Sequence, residues 1–305
     1  MPAPSAPPAP PSLAERLGFA AGDRVIVLHA DDIGMCHAAN AGAFEAMESG
    51  AVTCGSLMVP CPWFPGAAER ARANPGAYDL GVHLTLNAEW SRYRWGPVAG
   101  RRAVPSLVDA EGYLPRTSLE VAQRARPEEV EIELRAQIET ALAAGIDVTH
   151  LDAHMGTAFF PPFVEIYAKL AREFRIPALA VRPDAEALAR AGLAGAEPII
   201  RRAVELIEGS GQPILDGLDA DSLGFEPGAG AAHTRARLER LAPGVTYFIT
   251  HPARDGAELR ALGPGHHART FEHRFYGSEE GRAALAAAGI RTVGMRAIRA
   301  LAAAG

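Results

Sequence analysis

The chain has 305 residues, of which 48% are hydrophobic and 22% charged, with a formal net charge of −6, a composition typical of a soluble globular protein. The negative charge and the lack of a basic run argue against a nucleic-acid partner, and no apolar stretch is long enough to span a bilayer. Residues 1–20, rich in Pro and Ala up to Ser12, are predicted to be a disordered leader without a signal-peptide pattern. The three cysteines, Cys36, Cys54 and Cys61, lack metal-finger spacing and predict reduced thiols in the cytoplasm.

Strand-like and helix-like segments alternate from residue 24 onward. In chain order, the predicted strands are 25–28, 53–59, 80–86, 148–151, 178–181, 213–215, 245–250 and 291–293. The predicted helices are 38–49, 65–73, 127–144, 162–174, 184–191, 195–208, 232–241, 278–287 and 295–303. These repeated units predict one α/β domain over residues 21–305, a deformed (β/α) barrel of seven or eight parallel strands that is TIM-barrel-like. An open doubly wound sheet is the alternative.

Two long polar stretches rich in Gly and Pro interrupt the alternation, at about 88–126 and 217–230. Loops of this length inside a compact domain are usually functional or disordered. We interpret the first stretch as an insertion that covers the substrate.

Ionisable residues fall at the carboxyl ends of five predicted strands, where parallel α/β folds form their sites. They are Asp31 and Asp32, His83, the group His150, Asp152 and His154, Arg182, and His251. The two adjacent carboxylates follow a buried strand, and such a pair is costly unless a cation or a proton lies between them. Agreement between independent strand ends indicates a site more strongly than any single motif does.

One carboxylate and two imidazoles around a divalent metal, with positions open for water, form a standard hydrolytic arrangement. Asp32, His83 and His154 could supply that set. Asp31 would then be the base that takes a proton from the attacking water. His251 could protonate the leaving group or stabilise an oxyanion.

Each of these residues also has a purely structural interpretation. His83 could be a hydrogen-bonded strand residue, and the Asp pair could cap a helix. Asp152 could orient a ligating histidine or lie in a turn. Arg182 could contact substrate, pair with Asp31 or form a surface ion pair. Cys36 lies near a helix start, but no dedicated base accompanies it as a nucleophile.

Taken together, the motifs resemble those of the YdjC/ChbG/HpnK-like carbohydrate deacetylases. The matching segments follow the family's order over about residues 24–300 and are 30–34, 40–42, 50–53, 56–58, 81–84, 149–154 and 251–253. The combination of Gly-x-His-Leu with Thr-His-Leu-Asp-x-His makes the resemblance specific.

The resemblance implies a metal-dependent hydrolase that removes an N-acetyl group from an amino sugar or an N-acetylated oligosaccharide or glycoconjugate. It also implies Asp32, His83 and His154 as metal ligands, with Asp31 as the catalytic base. The family is described with Mg²⁺, whereas one carboxylate and two imidazoles suit Zn²⁺ better, so we consider both ions. The chitooligosaccharide-type members carry further histidines where this chain has Met155, which leaves the identity of the sugar open.

Substrate contacts are expected from Arg182 and Asp152 and from Trp90 and Trp95 of the insertion, because aromatic faces stack on sugar rings. The tryptophans could instead form a cluster beneath the loop, or pack on a second subunit of a homodimer. Two other functions are considered. One is hydrolysis of another amide or of an ester on a sugar or lipid head group, and the other is carbohydrate binding without catalysis.

Overall fold

The computed structural model describes residues 10–190, Gly195 and residues 197–303. In these ranges seven strands form one parallel sheet. They are β1 (Arg24–Ile33), β2 (Cys54–Leu57), β3 (Leu80–Leu84), β4 (Val148–Ala153), β5 (Gly217–Asp219), β6 (Gly244–Thr250) and β7 (Ile290–Thr292). The order across the sheet is β4-β3-β2-β1-β6-β5, and β7 pairs with the start of β1.

Helices follow most of the strands, as the predicted β-α alternation requires. They are α1 (Leu13–Arg16), α2 (His37–Ser49), α3 (Phe64–Ala73), α4 (Ser118–Arg124), α5 (Pro127–Ala143), α6 (Val164–Phe174), α7 (Ala185–Arg190), α8 (Glu197–Glu208), α9 (Gly230–Glu239), α10 (Ala257–Leu262), α11 (His266–Tyr276), α12 (Glu279–Ala287) and α13 (Met295–Ala303). Short 3₁₀ turns occur at Pro105–Leu107 and His154–Phe159. No helix in the described ranges has both the length and the apolar character needed to cross a membrane.

The sheet curls into a deformed barrel whose weakest part lies between β4 and β5. Leu151 of β4 pairs with Ala178, and Val181 pairs with Leu215, each through a single bridge. The predicted strands at 178–181 and 213–215 are therefore reduced to isolated bridges, and β5 begins two residues after Leu215. The predicted (β/α) barrel is confirmed, and the doubly wound sheet does not fit.

Successive side chains of the strands point alternately toward the helices and toward the barrel interior. In β1, Ile26 and Leu28 belong to the large core that packs on the helices, whereas Val25 and Val27 belong to a second cluster inside the barrel. Side chains of α1 and α13 complete that second cluster and cover the amino-terminal ends of the strands. The next inward residue of β1 is His29, the first of a polar layer that leads to the carboxyl ends.

Helix α1 falls within the predicted leader and corrects it. Ser12 caps this helix in a capping box with Glu15, and Leu13 and Ala14 are buried. The chain is therefore folded from about Ser12 onward, because this short segment fills the open end of the barrel. Residues 1–9 of the predicted leader lie outside the described residues, as do 191–194 and 196 at the start of the predicted helix 195–208.

Besides α1, three of the described helices have no counterpart among the predicted elements, namely α4 in the insertion and α10 and α11 before α12. Glycines and a proline between residues 256 and 265 obscure their boundaries in the sequence. Helix α11 matters most for function, because it carries Arg269 and Glu272 to the carboxyl end of the barrel.

Candidate active site

Asp31 and Asp32 both reach the carboxyl end of the barrel because β1 is irregular there. In a regular strand, two neighbouring side chains point to opposite faces. The register between β1 and β2 shifts between Ala30 and Ile33, and Asp32 has a left-handed backbone with φ of 65°. Such a conformation costs a residue with a side chain about 1–3 kcal/mol and persists where the surrounding structure enforces it. It turns Asp32 toward the same site as Asp31.

Asp32, His83 and His154 meet at the carboxyl ends of three strands. His83 of β3 places Nε2 3.6 Å from Asp32 Oδ1, and His154, directly after β4, places Nδ1 3.3 Å from the same oxygen. All three side chains are buried, and their ligand atoms lie within 4.8 Å of one another. The structure thus brings the three predicted ligands together, and this group could hold a metal ion.

Two other buried groups of His and Asp are similarly close. They are His29 with His150 and Asp152, and Asp31 with His83 and Asp152. In the first, the two Nε2 atoms are hydrogen-bonded to each other at 2.9 Å, and in both groups Asp152 already accepts hydrogen bonds. Asp32 Oδ1, by contrast, is buried without a hydrogen-bond partner among the described residues. Since an unpartnered buried carboxylate oxygen is costly, a cation beside Asp32 fits this structure best.

Asp152 orients His83. Its Oδ1 lies 2.8 Å from His83 Nδ1, and its Oδ2 accepts hydrogen bonds from Ser56 at 2.9 Å and from Tyr247 at 2.8 Å. Both oxygens are thus engaged and the residue is buried, and the predicted substrate contact by Asp152 stays a prediction. The alternative interpretation, a carboxylate that orients a ligating histidine, agrees with the geometry.

His154 lies between two carboxylates. Its Nε2 is 3.1 Å from Glu89 Oε2, and its Nδ1 faces Asp32. Burial by itself lowers the pKa of His154, but Glu89 and Asp32 outweigh burial and raise that pKa to about 10. The ring therefore carries a proton at neutral pH in the metal-free protein. Glu89 was not predicted as a site residue, because nothing marks it except its place at the start of the insertion.

Metal binding is therefore expected to release a proton from His154, since a ligating imidazole must be neutral. The protonated ring competes with the metal, so the apparent affinity should rise by about tenfold per pH unit below a pKa of about 10. Calorimetric titration of metal-free protein with Zn²⁺ in buffers of different ionisation enthalpy measures the protons released. The variant Glu89→Gln should release fewer at neutral pH, and equal counts would contradict the role of Glu89.

Helix α11 contributes a cation that the sequence did not reveal. Arg269 places Nη2 2.8 Å from Asp32 Oδ2 and is only 7% exposed. Burial raises the pKa of Asp32, but Arg269, together with His154 and His251, outweighs burial and holds that pKa well below the ordinary value. Arg269 Nη1 is buried and has no hydrogen-bond partner in the part of the chain that the structure describes.

His251, which follows β6, faces Asp31 with Nε2 3.8 Å from Asp31 Oδ2. Its Nδ1 lies 2.8 Å from Ser222 Oγ, and Ser222 in turn donates to Glu272. Burial, and then the charge of Arg269, lower the pKa of His251 to about 4, so the ring is neutral at pH 7. Ser222 and Glu272 were missed because one lies in the 217–230 loop and the other in the unpredicted helix.

The two tryptophans of the insertion differ in exposure. Trp95 is 3% exposed, donates Nε1 to the backbone oxygen of Asn87 at 3.0 Å, and has its ring 6.3 Å from that of His154. The buried ring of Trp95 thus packs beside His154. Trp90 is half-buried and packs beside Tyr93 and Trp95, which makes it the more accessible ring.

Two further candidates remain. Arg182 forms an exposed ion pair with Glu208 at 3.2 Å, the surface ion pair considered from the sequence, and its contact with substrate stays a prediction. Burial raises the pKa of the Cys36 thiol to about 11, which keeps it protonated at neutral pH. A protonated thiol is a poor nucleophile, so this environment does not favour a nucleophilic role for Cys36.

Comparisons with known proteins agree with this geometry. The model of the YdjC-like protein family matches residues 25–287. A carbohydrate deacetylase from Thermus thermophilus is 37% identical over 82% of this chain and 85% of its own length, and one from Brevibacillus brevis is 38% identical over 50% and 57%. The solved structure of a candidate cellobiose-phosphate cleavage protein from Enterococcus faecalis has the same fold, with a TM-score of 0.74 and 24% identity over 90% of this chain and 99% of that one. The chain belongs to the YdjC-like protein family.

Proposed function

We propose that this protein is a metal-dependent hydrolase that removes an N-acetyl group from an amino sugar or an N-acetylated oligosaccharide. The observation that carries the proposal is the buried group of Asp32, His83 and His154, with an unpartnered carboxylate oxygen and a second carboxylate, Asp31, beside it. The relatives named carbohydrate deacetylases support the choice of a sugar substrate.

Asp32, His83 and His154 would hold the ion. The donor set of one carboxylate and two imidazoles favours Zn²⁺, and the family resemblance favours Mg²⁺, so both ions belong in the test. A divalent ion at this position supplies a Lewis acid for the acyl oxygen and makes water more acidic. Arg269 Nη1 is aligned with this role as an additional donor to an oxygen that gains negative charge.

Asp31 is the base in this proposal. Its Oδ1 is engaged by His29 Nδ1 at 2.7 Å, whereas its Oδ2 lies 3.7 Å from His83 Nε2 and 3.8 Å from His251 Nε2. Oδ2 is thus the oxygen that takes a proton from water while the water oxygen bonds to the acyl carbon. The carbon–nitrogen bond then breaks as the nitrogen gains a proton.

His251 delivers that proton. Because its ring is neutral at pH 7, His251 must receive a proton before it can act as an acid. Asp31 Oδ2, which has just taken one from water, lies 3.8 Å from His251 Nε2. The proton passes from Asp31 through His251 to the departing nitrogen, and the products are acetate and a free amino group.

Acetate release from N-acetylglucosamine, its β-1,4-linked disaccharide and longer oligomers tests the reaction. Metal-stripped protein is supplied separately with Mg²⁺, Zn²⁺, Co²⁺ and Ni²⁺, and at least one ion should restore release that is absent without metal. A protein that binds one equivalent of metal yet releases no acetate from any of these sugars would refute the proposal. Hydrolysis of a sugar ester would then support the ester alternative, and sugar binding without hydrolysis would support the non-catalytic one.

Three broader assignments accompany the proposal. The folded part of the chain from Ser12 onward forms one catalytic unit in which the insertion at 88–126 covers the substrate, with Trp90 as the ring that stacks on a sugar. The three free cysteines are buried, which supports a reducing, cytoplasmic location that cell fractionation would test. The homodimer stays a prediction, which light scattering of the purified protein would check.

A further inference from the structure

Below the proposed base, a chain of hydrogen-bonded side chains crosses the barrel interior. It runs from Asp31 through His29, His150 and Thr149 to Asp79, and none of the five is more than 7% exposed. His29 Nδ1 lies 2.7 Å from Asp31 Oδ1, the two Nε2 atoms of His29 and His150 are 2.9 Å apart, and His150 Nδ1 lies 3.0 Å from Thr149 Oγ1. The proposed reaction gives no role to the four residues beyond Asp31.

The far end of the chain sets the direction of its hydrogen bonds. Asp79 Oδ2 accepts from the backbone N–H of Arg296 at 2.7 Å, in the first turn of α13, where a carboxylate is favoured. The Thr149 hydroxyl donates toward Asp79 Oδ1 or the backbone oxygen of Leu80, both of which are acceptors. Since a hydroxyl has one hydrogen, the Thr149 oxygen accepts from His150.

The direction of these hydrogen bonds determines which nitrogens of the two histidine rings carry a hydrogen. His150 Nδ1 carries the hydrogen that Thr149 accepts. Burial, and then the neighbouring His29, lower the pKa of His150 to about 4, so the ring is neutral and its Nε2 carries no hydrogen. His150 Nε2 therefore accepts from His29 Nε2–H, and His29 Nδ1 is hydrogen-bonded to Asp31 Oδ1.

Packing keeps both rings in place. A Cβ added to Gly81 of β3 would lie 2.6 Å from ring atoms of His150, so the strand can approach this ring only because residue 81 is glycine. The ring of Tyr247 lies 4.7 Å from that of His29 on the other side. Both rings are thus in close contact with residues of neighbouring strands.

We propose that His29 is a positioning residue for Asp31, held by His150, Thr149 and Asp79 so that only Asp31 Oδ2 faces the reacting centre. The inference rests on the proposed function, in which Asp31 is the base. His29 is fully buried beneath Asp31, so it acts on the orientation of the base and not on substrate binding. Its loss should therefore lower kcat and leave KM unchanged.

Activity of four variants tests the positioning. His29→Leu removes both ring nitrogens, His29→Asn keeps a side-chain N–H toward Asp31, and Thr149→Val removes the distant hydroxyl at constant shape. The control Thr53→Val removes a hydroxyl that donates to the backbone oxygen of Leu28 in the same sheet, outside the chain of hydrogen bonds. We expect kcat to fall by about 10- to 100-fold in His29→Leu, partial recovery in His29→Asn, a smaller loss in Thr149→Val and no change in the control.

The proposal is overturned if His29→Asn and Thr149→Val both have the kcat of the unmodified enzyme, a comparison that holds even if His29→Leu fails to fold. It is likewise overturned if KM rises while kcat stays constant. Zn²⁺ stoichiometry, measured on each variant, should stay at that of the unmodified protein.

Nitrogen-15 NMR of the histidine rings in the metal-free protein tests the hydrogen-bond direction without any activity. We expect a hydrogen on His150 Nδ1, a hydrogen on His29 Nε2, and loss of the His150 Nδ1–H signal in Thr149→Val. A hydrogen on His150 Nε2 in the unmodified protein would overturn the proposed direction of the hydrogen bonds.

The two proposals can fail separately. If the expected ring states are found and no sugar is deacetylated with any metal, the proposed function fails and the hydrogen-bond directions stand. If acetate is released at equal kcat by all variants, the positioning role fails alone.

Discussion

The variant Asp31→Asn is expected to lower kcat for acetate release by about 100- to 10,000-fold, the usual contribution of a general base. Asparagine keeps the shape of the side chain but cannot take a proton from water. In the unmodified protein, Asp31 Oδ2 lies 3.7 Å from His83 Nε2, which is too far for a hydrogen bond. The arrangement of the three proposed ligands therefore does not depend on this oxygen. Metal content, measured by mass spectrometry of the dialysed protein, should therefore be unchanged, and initial rates of acetate release give kcat.

A matched substitution controls for the change from carboxylate to amide. Asp147 lies on the surface just before β4 and pairs with Arg299 at 2.6 Å. Because an exposed ion pair contributes only about 0–1 kcal/mol, Asp147→Asn should keep full activity. Full activity in Asp31→Asn would show that Asp31 is not the base. Loss of metal in that variant would show that Asp31 is itself a ligand.

The second large effect is expected from His83→Ala, which should abolish metal binding and, with it, acetate release. Loss of a residue that hydrogen-bonds to a ligand usually lowers metal affinity by about 10- to 100-fold. Loss of a ligand itself should lower metal affinity further. The substitution also leaves Asp152 Oδ1 buried without the His83 ring, which costs about 1–3 kcal/mol or more for a charged group. The metal-free variant should therefore have a lower Tm than the metal-free unmodified protein.

The matched control for this variant is His273→Ala. His273 is partly buried on α11 and pairs with Glu45 at 2.9 Å, away from the cluster around Asp32. This control should keep one equivalent of metal and full activity. Stoichiometric metal in His83→Ala, measured after exhaustive dialysis, would contradict the ligand assignment. Asp152→Asn should be intermediate, with metal bound more weakly because His83 loses its orienting carboxylate.

Most of the secondary structure could be predicted from local sequence. The apolar, β-branched run at 245–250 predicts β6 within one residue, and Pro127 with the acidic residues after it marks the start of α5. These signals act over a few residues and need no partner. Helices α10 and α11 were missed because the glycines and proline around them indicate turns, while packing on the barrel makes the segments helical.

The proposed ligands, too, could be predicted from sequence. Parallel strands end at the same edge of a barrel, so Asp32, His83 and His154 could be placed together from their positions after three predicted strands. The same argument predicts Arg182 as a site residue. In the structure, however, its strand is reduced to a single bridge, and Arg182 forms an ion pair on the surface. A strand end is therefore informative only where the strand itself forms.

The support of these residues, by contrast, becomes visible only in the folded protein. A strand irregularity and a positive φ turn Asp32 to the side of Asp31, and neither can be read from two adjacent aspartates. Arg269 and Glu89 come from a helix and an insertion whose sequences carry no motif. Burial, and then the charge of Arg269, keep His251 neutral, whereas Glu89 and Asp32 keep His154 protonated in spite of burial. Burial depends on the closure of the whole barrel, so no local pattern of residues could have set these states.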